Sequence, residues 1–130
     1  MHIRAHWLAG LVLGCTAMVA VAQDKDAGYG AGQASAVQAE LKERLSGATF
    51  IGTYLRDGSP YVMEFGADGQ LRDNRQRSGR WWINEKGEYC REWTSGPHSG
   101  SASCLEILVH GARMALYSGN ERLMDGELKR

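Results

Sequence analysis

The sequence predicts a mainly β protein, folded as a small antiparallel up-and-down barrel or strongly curled meander of roughly seven or eight strands with one short N-terminal helix. Short apolar or alternating segments recur about every 10 residues, separated by glycine turns such as Asp57-Gly58 and Asp68-Gly69. A flat sheet of that many strands would leave long unpaired edges, and closure into a barrel removes them. We therefore expect a filled barrel of the lipocalin-like kind.

The N-terminal segment has the features of an export signal. Residues 1–4 are a short positive start, residues 7–21 are mostly apolar, and Ala20-Val21-Ala22 fits a signal-peptidase site. Residues 1–22 are thus expected to be removed, which predicts a periplasmic or secreted protein. An N-terminal anchor is less favoured because the apolar run is shorter than the roughly 18–20 residues of a membrane span. Lipoprotein cleavage at Cys15 is the other alternative.

The rest of the chain is expected to form one domain. Residues 23–34 are polar and glycine-rich and predict a flexible leader, and residues 35–130 predict the barrel domain. The sequence holds 15 basic and 15 acidic side chains, a balance that argues against a nucleic-acid-binding surface. No membrane span is expected once the signal is cleaved.

One amphipathic helix is predicted at the start of this domain. Val37, Leu41 and Leu45 recur at four-residue spacing, Ser35 has the position of a helix cap, and Gly47 has that of a C-terminal stop. Isolated helices below roughly 12–15 residues are marginal in water, so this helix must dock on the sheet. We expect it at the open end or at an edge of the barrel.

A hairpin and a return strand form the centre of the predicted sheet. Residues 79–84 are rich in aromatic and β-branched side chains and stop at a turn containing Gly87. The next segment alternates, so Tyr89, Arg91 and Trp93 share one face of the strand. The aromatic members of that face identify it as the apolar one. By contrast, residues 70–77 are polar and predict an exposed edge or a strand that breaks into a loop.

The cysteines predict one structural disulfide. Removal of Cys15 with the signal leaves Cys90 and Cys104 as a single pair in an oxidising compartment. Antiparallel pairing of the two cysteines would also place Leu105 opposite Tyr89, so the register and the disulfide agree. Closing a loop of about 15 residues stabilises a chain by about 3 kcal/mol in the loop-entropy model.

Four short phrases and a cysteine stand in order along the chain: residues 47–50 (GATF), 64–69 (EFGADG), 78–81 (SGRW) and 89–93 (YCREW), followed by Cys104. This order resembles a family of small exported proteobacterial proteins that carry a domain of unknown function. The resemblance extends over roughly residues 45–128. It implies an envelope protein with a mostly β fold, and it brings no activity and no catalytic residue to carry over.

Aromatic residues supply both the predicted core and the predicted contacts. The inward-facing set is Phe50, Tyr54, Tyr61, Phe65, one of Trp81 and Trp82, Trp93, Ile107, Val109 and Leu116. The candidate ligand or partner contacts are Tyr54, Tyr61, Trp81, Trp82 and Trp93. Adjacent strand residues point to opposite sides, so one of the two neighbouring tryptophans must face outward. That tryptophan contacts a partner or is covered by the helix.

No catalytic or metal-binding set is predicted. His98 and His110 lack partners at metal-ligand spacing and are interpreted as solvated loop residues. Glu92 and Glu106 are expected as diagonal neighbours on the exposed face, where a pair of carboxylates would support a hydrolase only if it were buried. The arginines of residues 72–80 predict a charged edge or a local positive patch.

These observations favour a non-enzymatic binding or accessory protein of the bacterial envelope that uses no cofactor. Its expected partner is a protein or a small apolar ligand. The first alternative is a carrier that holds an apolar molecule inside an aromatic-lined barrel. The second and less favoured alternative is a hydrolase that uses Glu92 and Glu106.

Overall fold

The computed structural model describes residues 29–130, and it describes side-chain environments from residue 36 onward. The predicted signal peptide (residues 1–22), Cys15 and the first part of the predicted leader lie outside the described residues. Within the described range, no helix combines the length and apolarity needed to cross a membrane. The elements are α1 (Tyr29–Leu45), β1 (Thr49–Tyr54), β2 (Ser59–Phe65), β3 (Gln70–Asp73), β4 (Ser78–Ile83), β5 (Tyr89–Trp93), β6 (Ala102–His110), β7 (Arg113–Ser118) and β8 (Glu121–Lys129).

The strands form a closed antiparallel barrel, which confirms the predicted fold class. Each strand pairs with the next one along the chain, and β8 returns to pair with β1. The polar segment at residues 70–77 forms the short strand β3 and a turn, and β3 is hydrogen-bonded to β2 on one side and to β4 on the other. The expected exposed edge is therefore absent here, because a closed barrel has no edge position.

The seam between β1 and β8 depends on two glycines. Gly52 and Gly126 lie directly opposite each other. A Cβ atom at Gly52 would stand 2.2 Å from the Asp125 carbonyl oxygen, and one at Gly126 would stand 2.3 Å from the Ile51 carbonyl oxygen. The two strands thus approach more closely than any larger residue allows, and this close approach closes the barrel.

Apolar and aromatic side chains fill the barrel. The residues predicted to point inward are buried or pack against the core: Phe50, Tyr54, Tyr61, Phe65, Trp81, Trp93, Ile107, Val109 and Leu116. Trp81 is 5% exposed and Trp82 is 39% exposed, so Trp81 is the inward member of the pair. Met63, Leu71 and Tyr89 are fully buried and complete the core.

Helix α1 closes one end of the barrel, one of the two positions expected for it. Leu45 is fully buried in the core and Leu41 packs against it, whereas Val37 is exposed. The Gln38 side-chain amide donates a 2.8 Å hydrogen bond to the Ile83 carbonyl oxygen at the end of β4. The helix therefore docks mainly through the C-terminal half of its apolar stripe.

The bounds of α1 differ from the prediction at the start and agree with it at the end. The helix begins at Tyr29, inside the predicted leader, and not at Ser35. Alanines between residues 31 and 39 favour this extension, because each residue added to an existing helix gains a backbone hydrogen bond. At the other end Gly47 has a φ of 77°, the left-handed conformation that terminates many helices.

The predicted disulfide joins β5 and β6. Cys90 and Cys104 are bonded and lie directly opposite each other, and Tyr89 lies opposite Leu105, as the sequence predicted. Cys90 is fully buried, while Cys104 lies on the exposed side of β6. A structural disulfide is typical of proteins that fold in an oxidising compartment, which fits an exported protein.

Candidate functional site

The end of the barrel opposite α1 contains a cavity of about 300 Å³. The strands contribute its walls, and the β3–β4 turn and the β5–β6 loop contribute its rim. The residues that line it, here called the arginine pocket, are Tyr54, Tyr61, Arg75, Arg77, Arg91, Trp93, His98, Ser101, Ser103 and Met124. Three guanidinium groups thus face a space that is bounded largely by aromatic and polar side chains.

A buried aspartate holds Arg77 in place. The Asp73 side chain is fully buried and accepts hydrogen bonds from the Tyr61 hydroxyl at 2.7 Å and from Arg77 Nε at 2.8 Å. Its other oxygen accepts bonds from the backbone N–H groups of Arg75 and Arg77. Burial alone would raise the pKa of Asp73, but these hydrogen bonds outweigh burial and hold the pKa below its usual range. Asp73 is therefore ionised and neutralises Arg77.

Tyr61 completes this network. Its hydroxyl donates to Asp73 and accepts a 2.9 Å hydrogen bond from Arg77 Nη2. Burial, reinforced by the adjacent Asp73 carboxylate, raises the pKa of Tyr61, so the phenol stays neutral. The strand residue Tyr61, the strand end at Asp73 and the turn residue Arg77 thus form one connected hydrogen-bonded unit.

Arg75 lies at the rim and is held more loosely. Its Nη2 atom donates to the Ser59 hydroxyl at 3.0 Å and lies 3.7 Å from the Asp57 carboxylate. The guanidinium stands over two rings, 4.9 Å from the centroid of Tyr54 and 5.2 Å from that of Tyr61. The Arg75 and Asp57 side chains are 39% and 54% exposed, so their attraction is weakened by solvent.

Arg91 is the cation of the pocket that has no carboxylate partner among the described residues. It lies on β5 between Tyr89 and Trp93, and the alternation of the strand places all three on the interior side. Its Nε and Nη1 atoms are buried and have no hydrogen-bond partner among residues 36–130. Buried N–H groups are normally paired, so this arrangement is unusual and energetically unfavourable without a bound acceptor.

The arginines lie against the aromatic rings of the pocket. Arg77 stands 4.2 Å and Arg91 5.5 Å from the centroid of the Trp93 ring, and Arg75 covers the two tyrosines. One further cation–π contact, between Arg122 and Tyr117, occurs in the described part of the chain and lies outside the pocket. The rings thus orient the guanidiniums, and the groups presented to a ligand are N–H donors carrying positive charge.

The five predicted contact aromatics fall into three places. Tyr54, Tyr61 and Trp93 lie together in the arginine pocket. Trp81 lies in the core, where its indole N–H donates a 2.9 Å hydrogen bond to the carbonyl oxygen of residue 66. Trp82 lies outside, in a groove of about 470 Å³ beside α1. The helix flanks this outward tryptophan and leaves it partly exposed.

The structure does not bring the predicted carboxylates together. Glu92 lies opposite Ala102, whereas Glu106 lies beyond the disulfide, opposite Tyr117 of β7. Glu92 also forms a salt bridge with Arg80 on the outer face of the barrel. Register is the reason, because the Cys90–Cys104 pair stands between the two carboxylates.

The histidines and the remaining acidic groups form no metal site. No cluster of three or more His, Cys, Asp or Glu side chains suited to a metal ion occurs in the described range. His98 is an exposed residue of the β5–β6 loop and lines the arginine pocket, while His110 lies at the opposite end of the barrel. The sequence predicts His98 only as a solvated loop residue and carries no signal for its position at the pocket.

Comparison of the chain with protein-family models, with curated proteins and with solved structures gives no match. The pocket itself is therefore the basis for assigning a function.

Proposed function

We propose that the protein is an exported, non-enzymatic binding protein that holds a small organic anion in the arginine pocket. The observation that carries this proposal is Arg91, a half-buried cation that lines the pocket and whose buried Nε and Nη1 atoms lack a partner within the described chain. An anionic oxygen in the cavity would neutralise the charge of Arg91. Charge-assisted hydrogen bonds of this kind are about twice as strong as neutral ones.

The dimensions and position of the pocket support the same proposal. Its volume of about 300 Å³ is at the lower end of small-molecule sites, and the mouth of a β-barrel is a preferred place for such sites. The aromatic walls are already covered by guanidiniums, and the interior below them is filled by Tyr89, Phe65 and other core residues. These features favour an anion over the apolar ligand considered from the sequence.

Calorimetric titration and thermal melting of the purified protein with its disulfide intact test the proposal. The probes are acetate, butyrate, benzoate and inorganic phosphate, with neutral naphthalene as the apolar comparison. We expect saturable binding of at least one anion together with a raised melting temperature, because a ligand that prefers the folded state stabilises it. We expect no effect from naphthalene.

Two matched variants locate the binding. Arg91→Met removes the pocket cation, and Arg72→Met removes an exposed arginine from the outer face of β3 with the same change in charge. The first should weaken anion binding by about 100-fold, the loss of a buried charge-assisted interaction, and the second should leave it within about threefold. Equal weakening in both variants, or binding of naphthalene alone, would contradict the proposal.

A further inference from the structure

We infer that the anion of the arginine pocket is a singly charged carboxylate with hydrogen-bonding groups at its other end. This inference rests on the proposed function and narrows it to one class of ligand. It follows from the number of charges that the pocket leaves uncompensated and from the side chains placed around them.

The charges of the pocket leave one cation unmatched. Arg77 is bonded to the fully buried Asp73 at 2.7 Å, whereas Arg75 lies at the exposed rim, where it faces Asp57 at 3.7 Å and its charge is screened by solvent. Arg91 forms no salt bridge in the part of the chain that the structure describes. One negative charge on the ligand is therefore paired with the positive charge of Arg91. A second negative charge would lose its hydration without gaining a cation as partner.

The neighbour of Arg91 across the sheet extends this argument. Ser103 of β6 lies directly opposite Arg91 and also lines the pocket. Directly opposed strand residues have Cβ atoms about 4.5–5.5 Å apart, so the two side chains leave neighbouring positions on the same wall of the pocket. A carboxylate has two oxygens, and we assign one to the Arg91 N–H groups and the other to the Ser103 hydroxyl.

The residues at the rim of the pocket indicate which chemical groups the other end of the ligand carries. Ser101 and His98 belong to the β5–β6 loop and line the cavity farther from the barrel core than Ser103. Both side chains exchange hydrogen bonds with hydroxyl groups. The cavity of about 300 Å³ corresponds to roughly ten water-sized groups at ~30 Å³ each, which suits a short, hydroxylated carboxylic acid.

Three probes that share a four-carbon skeleton separate the parts of this inference. Butyrate has one charge and an apolar end, 3-hydroxybutyrate adds a hydroxyl, and succinate adds a second carboxylate. In calorimetric titrations of the wild-type protein, 3-hydroxybutyrate should bind most tightly and succinate about tenfold more weakly or worse. Butyrate should lie between them, because it lacks the group that reaches the rim.

The variant Asp73→Asn tests the charge argument directly. It preserves the shape of the side chain and removes the carboxylate that neutralises Arg77, so the pocket gains one uncompensated positive charge. The preference for 3-hydroxybutyrate over succinate should then shrink to about threefold or less, since the second carboxylate finds a cation. Circular dichroism verifies the fold of this variant, and the wild-type series decides the inference if the variant does not fold.

The possible outcomes separate this inference from the proposed function. The single-charge inference would be overturned if succinate or inorganic phosphate bound the wild type more tightly than 3-hydroxybutyrate. If that binding were lost in Arg91→Met, the proposed anion site would still stand. Equal affinities for butyrate and 3-hydroxybutyrate would overturn the inference that the rim residues bind a hydroxyl group of the ligand. No binding of any anion would overturn both the inference and the proposed function.

Discussion

The two ends of the barrel are built from the same strands but are completed by opposite chemistry. At the helix end, Leu45 and Leu41 of α1 cover the core, and Phe65 packs edge-on against Trp81 with ring centroids 5.5 Å apart. At the other end, arginines lie on the exposed parts of the core aromatics and surround a cavity. The first arrangement removes apolar surface from water. The second leaves two buried N–H groups of Arg91 without hydrogen-bond partners in the described part of the chain.

Under the proposed function, this difference separates the part of the barrel that supplies stability from the part that binds. Burial of apolar side chains stabilises the fold by about 1.5–3 kcal/mol for each large residue. A buried, unpaired N–H group costs about 1–3 kcal/mol. The helix end should therefore supply stability that the unpaired Arg91 of the arginine pocket reduces, and removal of Leu45 and removal of the Arg91 charge should have effects of opposite sign.

The largest effect is expected at the helix end. Leu45→Ala should lower the free energy of unfolding by about 3 kcal/mol, because it removes a fully buried side chain and leaves a cavity between α1 and the barrel. Urea denaturation measures this loss. The control Val37→Ala, on the exposed part of the same helix, should change stability by about 0.5 kcal/mol or less. Anion affinity of folded Leu45→Ala should equal that of the wild type, and a loss of binding would show that the ends are not independent.

A smaller effect is expected from the buried aspartate of the pocket. Asp73→Asn should destabilise the protein by about 2 kcal/mol at pH 7, because it removes an ionised acceptor from Arg77 and Tyr61. The pKa of Asp73 is lowered in the folded protein, so its contribution is fully present above the unfolded pKa of about 3.9. That contribution is lost as the pH falls through the lower folded pKa.

Denaturation between pH 7 and pH 2 therefore gives a direct measurement of this linkage. The difference in stability between the wild type and Asp73→Asn should be constant from pH 7 to about pH 5 and should shrink below about pH 4. A difference that persists unchanged into strong acid would show that Asp73 acts through shape and not through charge.

The smallest effect is expected to have the opposite sign. Arg91→Met should raise the free energy of unfolding by about 1 kcal/mol, because methionine fills similar space without leaving buried N–H groups unpaired. The lost contact between Arg91 and the Trp93 ring offsets part of the gain. Thermal and urea denaturation without ligand measure the change, with Arg72→Met as the neutral control. A destabilised Arg91→Met protein would mean that the arginine supports the fold, which would erase the distinction between the two ends.

The sequence predicted the structure best where side-chain alternation and the cysteine pair act on neighbouring strands. Alternation placed Tyr89, Arg91 and Trp93 on one face, and the cysteines then set the register of β5 against β6. The signal for the pocket was therefore already present, as an arginine between two inward-facing aromatics. The aromatic members of this face predict core, and the charge between them is the feature that distinguishes the pocket from core.

The rest of the pocket could not be predicted in the same way. Arg75 and Arg77 follow β3 in a turn, and their direction depends on hydrogen bonds to Asp73 that form only in the folded chain. His98 lies in a loop that carries no periodic pattern. The separation of Glu92 and Glu106, by contrast, follows from the predicted register, which places them on opposite sides of the Cys90–Cys104 pair.

The disulfide has a further consequence for the rim of the pocket. Cys90 and Cys104 are 14 positions apart and enclose the whole β5–β6 loop, including His98 and Ser101. A single break in the backbone within the enclosed segment leaves the two parts of the chain covalently joined through sulfur. The same bond aligns β5 with β6 whatever the length of the loop between them. New residues can therefore be inserted at the rim, and ligand preference altered, while the connectivity of the barrel wall is preserved.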